Sequence, residues 1–336
     1  MTKIGFLSFG HWADVPGSRT PTASDMLHQA IDLAVGAEEV GVDGAFFRVH
    51  HFAQQQASPF PLLSAIASRT STLELGTGVI DMRYENPLYM AENAAMTDLI
   101  AGNERLQLGI SRGSPETVIR GFRNFGYTPA EGQDDAAMAR EHTAEFLRAI
   151  EGEGFARNAQ NPAQLDPIQP QSPGLRRRIW WGAGSEATAR WTAQQGMNLM
   201  SSTLLFEEKG IPFDQLQAQQ IEIFRDEWKA AGHDWTPRVS VSRSIIPVID
   251  RESNYYFGLR AQAEGQDQVG YLDNSIARFG RSYIGSPEKI AEEIAQDAAV
   301  QEADTVLITV PNQLGVDFNL RSLESIVKDI KPAMGN

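Results

Sequence analysis

The segment IWWGAGSEATARWTAQQGMNLMS, residues 179–201, decides the fold. An apolar run at 179–182 leads through Ala183 and Gly184 into a stretch with helical spacing at 185–195. A second apolar run follows at 198–202. Strand, helix and strand in succession imply parallel pairing, because the helix supplies the crossover. The same rhythm extends both ways along the chain. Further strands are expected at 3–9, 44–49, 72–80, 105–111, 238–249 and 304–310. Helices are expected at 24–40, with Ser24 as N-cap, and at 60–69, 87–100, 134–150, 213–231, 287–299 and 320–330. Eight alternating pairs predict an α/β fold, a (β/α)8 TIM barrel forming one domain over residues 1–336. Two Rossmann-like halves fit less well, since no strand runs into a Gly-x-Gly-x-x-Gly turn with a downstream acid.

Three connections exceed ordinary turns, at 112–133, 152–175 and 251–286. The first and third follow strands four and seven, so these insertions belong to the catalytic face of a barrel. The second, rich in Pro, Gln and Asn, is expected to loop over the surface.

The 336 residues are 42% hydrophobic and 21% charged, the balance of a globular protein with a sizeable core. A net charge of -14 argues against nucleic acid or an anionic membrane as partner. Arg176, Arg177 and Arg178 form the one dense basic run, read as the solvated mouth of a strand. The absence of cysteine excludes disulfides, thiolate catalysis and Cys-ligated zinc. No apolar run approaches a membrane span, and the N-terminus lacks a signal-peptide pattern, which predicts a cytoplasmic location.

The candidate chemistry lies at strand ends. Gly184 and Ser185 open a helix whose first N–H groups, with the hydroxyls of Ser185 and Thr188, make an anion seat. The competing reading is a tight turn with Ser185 as a plain cap. Arg112, in Gly109-Ile110-Ser111-Arg112-Gly113, suits a bidentate grip on phosphate or an ion pair with a nearby carboxylate. His50 and His51 close strand two. Alternation lets one of them face the axis unless the strand has already ended, and that one is a proton carrier or a core histidine. Adjacent histidines chelate poorly and no acidic cluster accompanies them, so no metal is expected. Gly76 and Gly78 sit where a flat ring or another backbone would lie close.

Taken together, these segments resemble the bacterial luciferase-like flavin-dependent monooxygenases, over residues 4 to about 330. The resemblance rests on Val49-His50-His51-Phe52, Leu75-Gly76-Thr77-Gly78-Val79, Asn86-Pro87, Ala91-Glu92 and Gly109 to Gly113. It continues through Gly184-Ser185-Glu186-Ala187-Thr188, Ala193 to Gly196 and Gly285 to Ile290. It implies reduced FMN at the barrel mouth, its phosphate on Arg112, Ser185 and Thr188. A non-proline cis peptide at Gly78-Val79 would lie beneath the ring, with His50 as the catalytic residue. The third connection matches a lid whose Tyr255, Tyr256 and Phe257 would cover the flavin. The chain departs from the family at Val49, where a glutamate is usual, at Ala101 to Arg105, and at Gly184, an acid in luciferase itself.

The activity so implied is oxidation of an aldehyde, ketone or similar molecule by O2 and reduced FMN through a flavin hydroperoxide. A separate NAD(P)H-dependent reductase would supply the reduced flavin. Two alternatives are deazaflavin-dependent hydride transfer on the same barrel and a non-catalytic flavin-binding subunit. Small residues on the second and third helices, Ser64, Ala67, Ala91, Ala94 and Ala95, suggest a homodimer through close helix contact.

Overall fold

The computed structural model describes residues 2–113, 118–206, 209–262, 265–272 and 275–335. Its parallel strands pair in a ring. β1 (Lys3–Ser8) lies beside β2 (Gly44–Phe47), then come β3 (Glu74–Thr77) and β4 (Leu106–Ser111). β5 (Ile179–Ala183), β6 (Asn198–Ser201), β7 (Val239–Pro247) and β8 (Thr305–Val310) continue the order, and β8 returns to β1. Among the described residues these eight strands close the (β/α)8 barrel that the alternation predicts.

Burial on both faces explains why the strands read as apolar runs. Trp180 turns inward to an interior cluster with Leu7, Phe46, Met200 and Leu307, while Trp181 turns outward to the core beneath the helices. The floor of the barrel is ionic: Glu74 accepts from Lys3 at 2.5 Å and from both terminal nitrogens of Arg238 at 2.9 and 3.0 Å.

The helices are α1 (Ala23–Glu39), α2 (Pro59–Ala67), α3 (Pro87–Ala101), α4 (Asp135–Ile150), α5 (Glu186–Gln194) and α6 (Phe213–Ala231). Thr22, not Ser24, caps α1. The Thr22 hydroxyl accepts from the Asp25 N–H and Asp25 accepts from the Thr22 N–H, a reciprocal pairing for which Ser24 has no acid three residues on. α7 (Pro287–Ile294) stops short of residue 299 because Asp297 caps the next short helix, Ala298–Glu302. α8 (Val316–Ser325) starts four residues before the expected 320 and runs on into a π-helical turn, Ile326–Ile330.

Two further expectations need correction. Of the basic run, Arg177 is exposed as expected, but Arg176 and Arg178 are not. They precede β5 at the floor, where Arg178 is buried on Asp98, which also accepts from Ser172 at 2.6 Å. Arg176 caps the end of α5 through the Gln195 and Gly196 carbonyls. The small residues Ala67, Ala91, Ala94 and Ala95 are buried within the chain, and Ser64 Oγ lies 3.2 Å from Thr97 Oγ1. They let helices pack on each other and on the barrel.

The described part of the third connection carries regular secondary structure. It begins with a helix, Arg251–Ala261, capped by Asp250. An antiparallel pair follows, Gln268–Leu272 with Ser275–Phe279, whose second strand also pairs with Leu204–Leu205. Part of the first connection, 114–117, lies outside the described residues, as do 263–264 and 273–274 of the third. The surface connection holds a hairpin, Gly154–Arg157 with Leu165–Pro167. No helix among the described residues is long and apolar enough to cross a membrane.

Candidate active site

A cavity of about 410 Å³ opens at the carboxyl ends of the strands, within the range of small-molecule and cofactor sites. All seven residues singled out in the sequence line it: His50, Gly78, Val79, Arg112, Gly184, Ser185 and Thr188. They arrive on the connections after β2, β3, β4 and β5 and at the start of α5.

One end of the cavity gathers Arg112, Arg140, Ser185 and Thr188. Ser185 is the extended N-cap of α5; its Oγ accepts from the Thr188 N–H at 3.3 Å and lies 2.9 Å from Thr188 Oγ1. Ser185 is therefore both a helix cap and part of the cavity wall. Arg112 is 45% exposed and stands 3.8 Å from Asp135, which is bound more tightly by Arg83 at 2.9 Å. Gly113 follows Arg112 at φ +92, and a Cβ there would fall 1.9 Å from Asp81, so the turn that releases Arg112 into the mouth requires glycine. Arg140 of α4 also lines this cavity, its guanidinium 4.9 Å over the ring of Trp191.

The middle of the cavity is apolar. The Gly78–Val79 peptide is cis, and Leu7, Met200 and Leu307 form the wall below. A Cβ on Gly78 would come 3.0 Å from Leu7. An apolar wall beside a cationic, hydroxyl-bearing end fits a phosphate-bearing flavin.

The far side carries histidines. β2 ends at Phe47, so strand alternation no longer applies, and both His50 and His51 reach the cavity. Burial, then the charge of Arg48, then His51 and His11 push His50 down to about 4, so its ring is neutral near pH 7. Burial also lowers His51, whose ring stacks on Tyr84 at 4.2 Å and whose Nε2 is inaccessible and without a protein partner. Val49, in place of the family's acid, is buried and offers no proton. Asp81 is the one acid among the described lining residues, and Arg83 holds both its oxygens, at 3.0 and 2.6 Å.

Sequence reasoning missed Arg48, Arg140 and Phe206. Arg48 stands two residues before His50, a signal that could have been used; Arg140 sits mid-helix with none. Phe206, after β6, lines the cavity where the aromatic trio of the third connection was expected. That trio does not. Tyr255 is exposed and Tyr256 and Phe257 pack toward Phe318 of α8, because the segment is helical and turns its rings to that neighbour. Among the described residues no cluster of three His, Cys, Asp or Glu side chains could hold a metal.

Comparison with known proteins places this geometry. The family model described as luciferase-like monooxygenase matches residues 2–302. The oxygenase component of the flavin-dependent trigonelline monooxygenase of Acinetobacter baylyi is 27% identical, with 93% of this chain and 91% of that one covered. Among solved structures, the oxygenating constituent of 3,6-diketocamphane monooxygenase from Pseudomonas putida, a type II Baeyer–Villiger enzyme in complex with FMN, superposes with TM-score 0.70. That match covers 99% of both chains at 17% identity. The coenzyme F420-dependent tetrahydromethanopterin reductase of Methanopyrus kandleri shares the fold at TM-score 0.65 and 14% identity, again over 99% of both chains.

Proposed function

The chain belongs to the luciferase-like monooxygenase family, and from that premise we propose that it is the oxygenase component of a two-component system using reduced FMN and O2. The observation that carries this reading is the meeting of Arg112 with Ser185 and Thr188 in one cavity over an apolar floor. Arg112 and Arg140 together suit the two charges of a phosphate monoester, and the helix start adds N–H groups and a favourable dipole. A deazaflavin, whose phosphate is a singly charged diester, would use that pair less fully.

Bound reduced FMN would supply activation of O2 and delivery of one oxygen atom to an aldehyde, ketone or similar substrate. The chain's own contribution is binding, orientation and exclusion of water. Leu7, Val79 and Met200 keep the ring face dry, and neutral His50 accepts or passes a proton at a ring nitrogen. The reduced flavin would come from a separate NAD(P)H-dependent reductase in the cytoplasm.

The working unit would be one barrel domain, paired as a homodimer. Tyr89, Met96 and Ile100 stand seven and four residues apart on α3 and are 66%, 53% and 52% exposed, an apolar stripe suited to a second copy.

The test is anaerobic titration with reduced FMN, followed by O2 uptake with a flavin reductase and NADH. Saturable binding and substrate-dependent O2 consumption are expected. Turnover with a deazaflavin and a secondary alcohol, without O2 uptake, would favour hydride transfer instead.

A further inference from the structure

We infer that Phe206 ends this cavity at a terminal phosphate, so that the site takes FMN and turns away flavins whose phosphate carries a further group. The inference rests on the functional reading above and adds the residue that sets cofactor specificity.

The phosphate end lies between two neighbours in the ring. It opens at the start of α5, after β5, and β5 pairs with β4 on one side and with β6 on the other. From the β4 side come Arg112 and, on α4, Arg140, whose guanidinium lies over the Trp191 ring. From the β6 side come Leu204 and Phe206. One flank is cationic and the other ends in apolar side chains. A phosphate monoester stops between them. A diester must send its second substituent past one of the two.

The β6 flank is tied down along its backbone. The Ser202 N–H donates to the Ala183 carbonyl and the Phe206 N–H to the Gly184 carbonyl, each at 3.0 Å. Leu204 and Leu205 pair with Phe279 and Arg278 of the third connection. Beyond them, Lys209 forms an ion pair with Glu186 in the first turn of α5. These contacts fold the connection after β6 back over the turn that leads into Ser185.

The Phe206 ring takes its place because residue 184 has no side chain. A Cβ on Gly184 would lie 3.4 Å from two carbons of that ring, so any larger side chain there would meet it. The ring lines the cavity and is 41% exposed, which makes it a wall of the mouth and not part of the core. A fixed aromatic wall discriminates by overlap with the wrong ligand, a contribution separate from the attraction of the right one. Arg112 and Arg140 already favour the dianion of a monoester over the single charge of a diester. Phe206 adds a steric part that the arginines cannot supply.

The experiment titrates reduced FMN, FAD and riboflavin anaerobically into the full chain. FAD shares the ring and ribityl chain of FMN and continues beyond the first phosphate. The wild type should prefer FMN to FAD by at least about a hundredfold, and Phe206→Ala should narrow that gap about tenfold through tighter FAD binding. FMN and riboflavin affinities should stay within about threefold of the wild type, since the charged contacts remain. Phe206→Leu should narrow the gap less, and it carries the comparison if urea melting shows that Phe206→Ala is poorly folded. Equal affinity of the wild type for FMN and FAD, or an unchanged gap in both variants, overturns the inference. FMN binding above riboflavin then leaves the functional reading intact. An equal fall for FMN and FAD in Phe206→Ala would make the ring a general flavin contact and overturn it too. Failure of FMN to bind the wild type removes the functional reading and this inference with it.

Discussion

Arginines at the floor of the barrel and arginines at its mouth do different work. At the floor, Arg178 and Asp98 are 9% and 4% exposed and bonded through both nitrogens, and Arg238 grips Glu74 beneath Trp180. At the mouth, Arg112 keeps only a 3.8 Å approach to Asp135, and Arg140 rests on an aromatic ring. The same residue type is spent on the fold at one end and held toward a cavity at the other. Titratable groups follow the division. The floor holds carboxylates in ion pairs, while the mouth holds His50 neutral and pushes Glu85 up to about 7, through burial and then the charge of Asp81.

This contrast is open to attack. Asp98→Ala leaves the Arg178 charge buried and should cost about 3–5 kcal/mol in urea unfolding. A loss below 1 kcal/mol would mean that the floor pairs are ornamental. Arg112→Ala should leave stability within about 0.5 kcal/mol but weaken FMN binding by about 1.5–3 kcal/mol. Arg140→Ala should follow the same pattern with a smaller loss of affinity.

Glu85 tests the mouth's electrostatics. Its folded pKa, about 7, lies above the ordinary carboxylate value of 4.5, so the folded state holds a proton that the unfolded chain releases between those values. Stability therefore falls as pH rises through that window. Glu85→Gln should gain on the wild type between pH 5 and pH 8, on the order of 1–3 kcal/mol by denaturant titration. For His50 the folded pKa is depressed, so the ring stays neutral down to about pH 4. A rate dependent on neutral His50 should persist to pH 5, measured as kcat/KM against His50→Gln. An acid limb centred near 6.5 would contradict the assignment.

The barrel was legible because each unit repeats the same pattern and buried parallel strands leave continuous apolar runs. The glycines and hydroxyls at strand ends were legible for a related reason: chemistry collects there in this architecture. Less legible was anything that depends on which way a side chain turns. Alternation placed one histidine in the cavity, but β2 ends two residues early and both arrive. Ala91, Ala94 and Ala95 suggested an external contact, whereas the apolar surface of α3 lies at Tyr89, Met96 and Ile100; composition alone does not say which face meets the barrel. Arg140 reaches the mouth from the flank of a helix, a position no strand-end rule would flag. The helix at Arg251–Ala261 turned an expected lid into a packed element, and Phe206 took its place at the cavity.

The central claim is that the mouth is built to hold a dianionic phosphate tail, and comparing FMN with riboflavin tests it most directly. The two share the ring and differ at the phosphate. Titrated into the same protein in their reduced forms, FMN should bind at least about tenfold more tightly, and Arg112→Ala should close most of that gap. Equal affinity for the two flavins in the wild type would contradict the account.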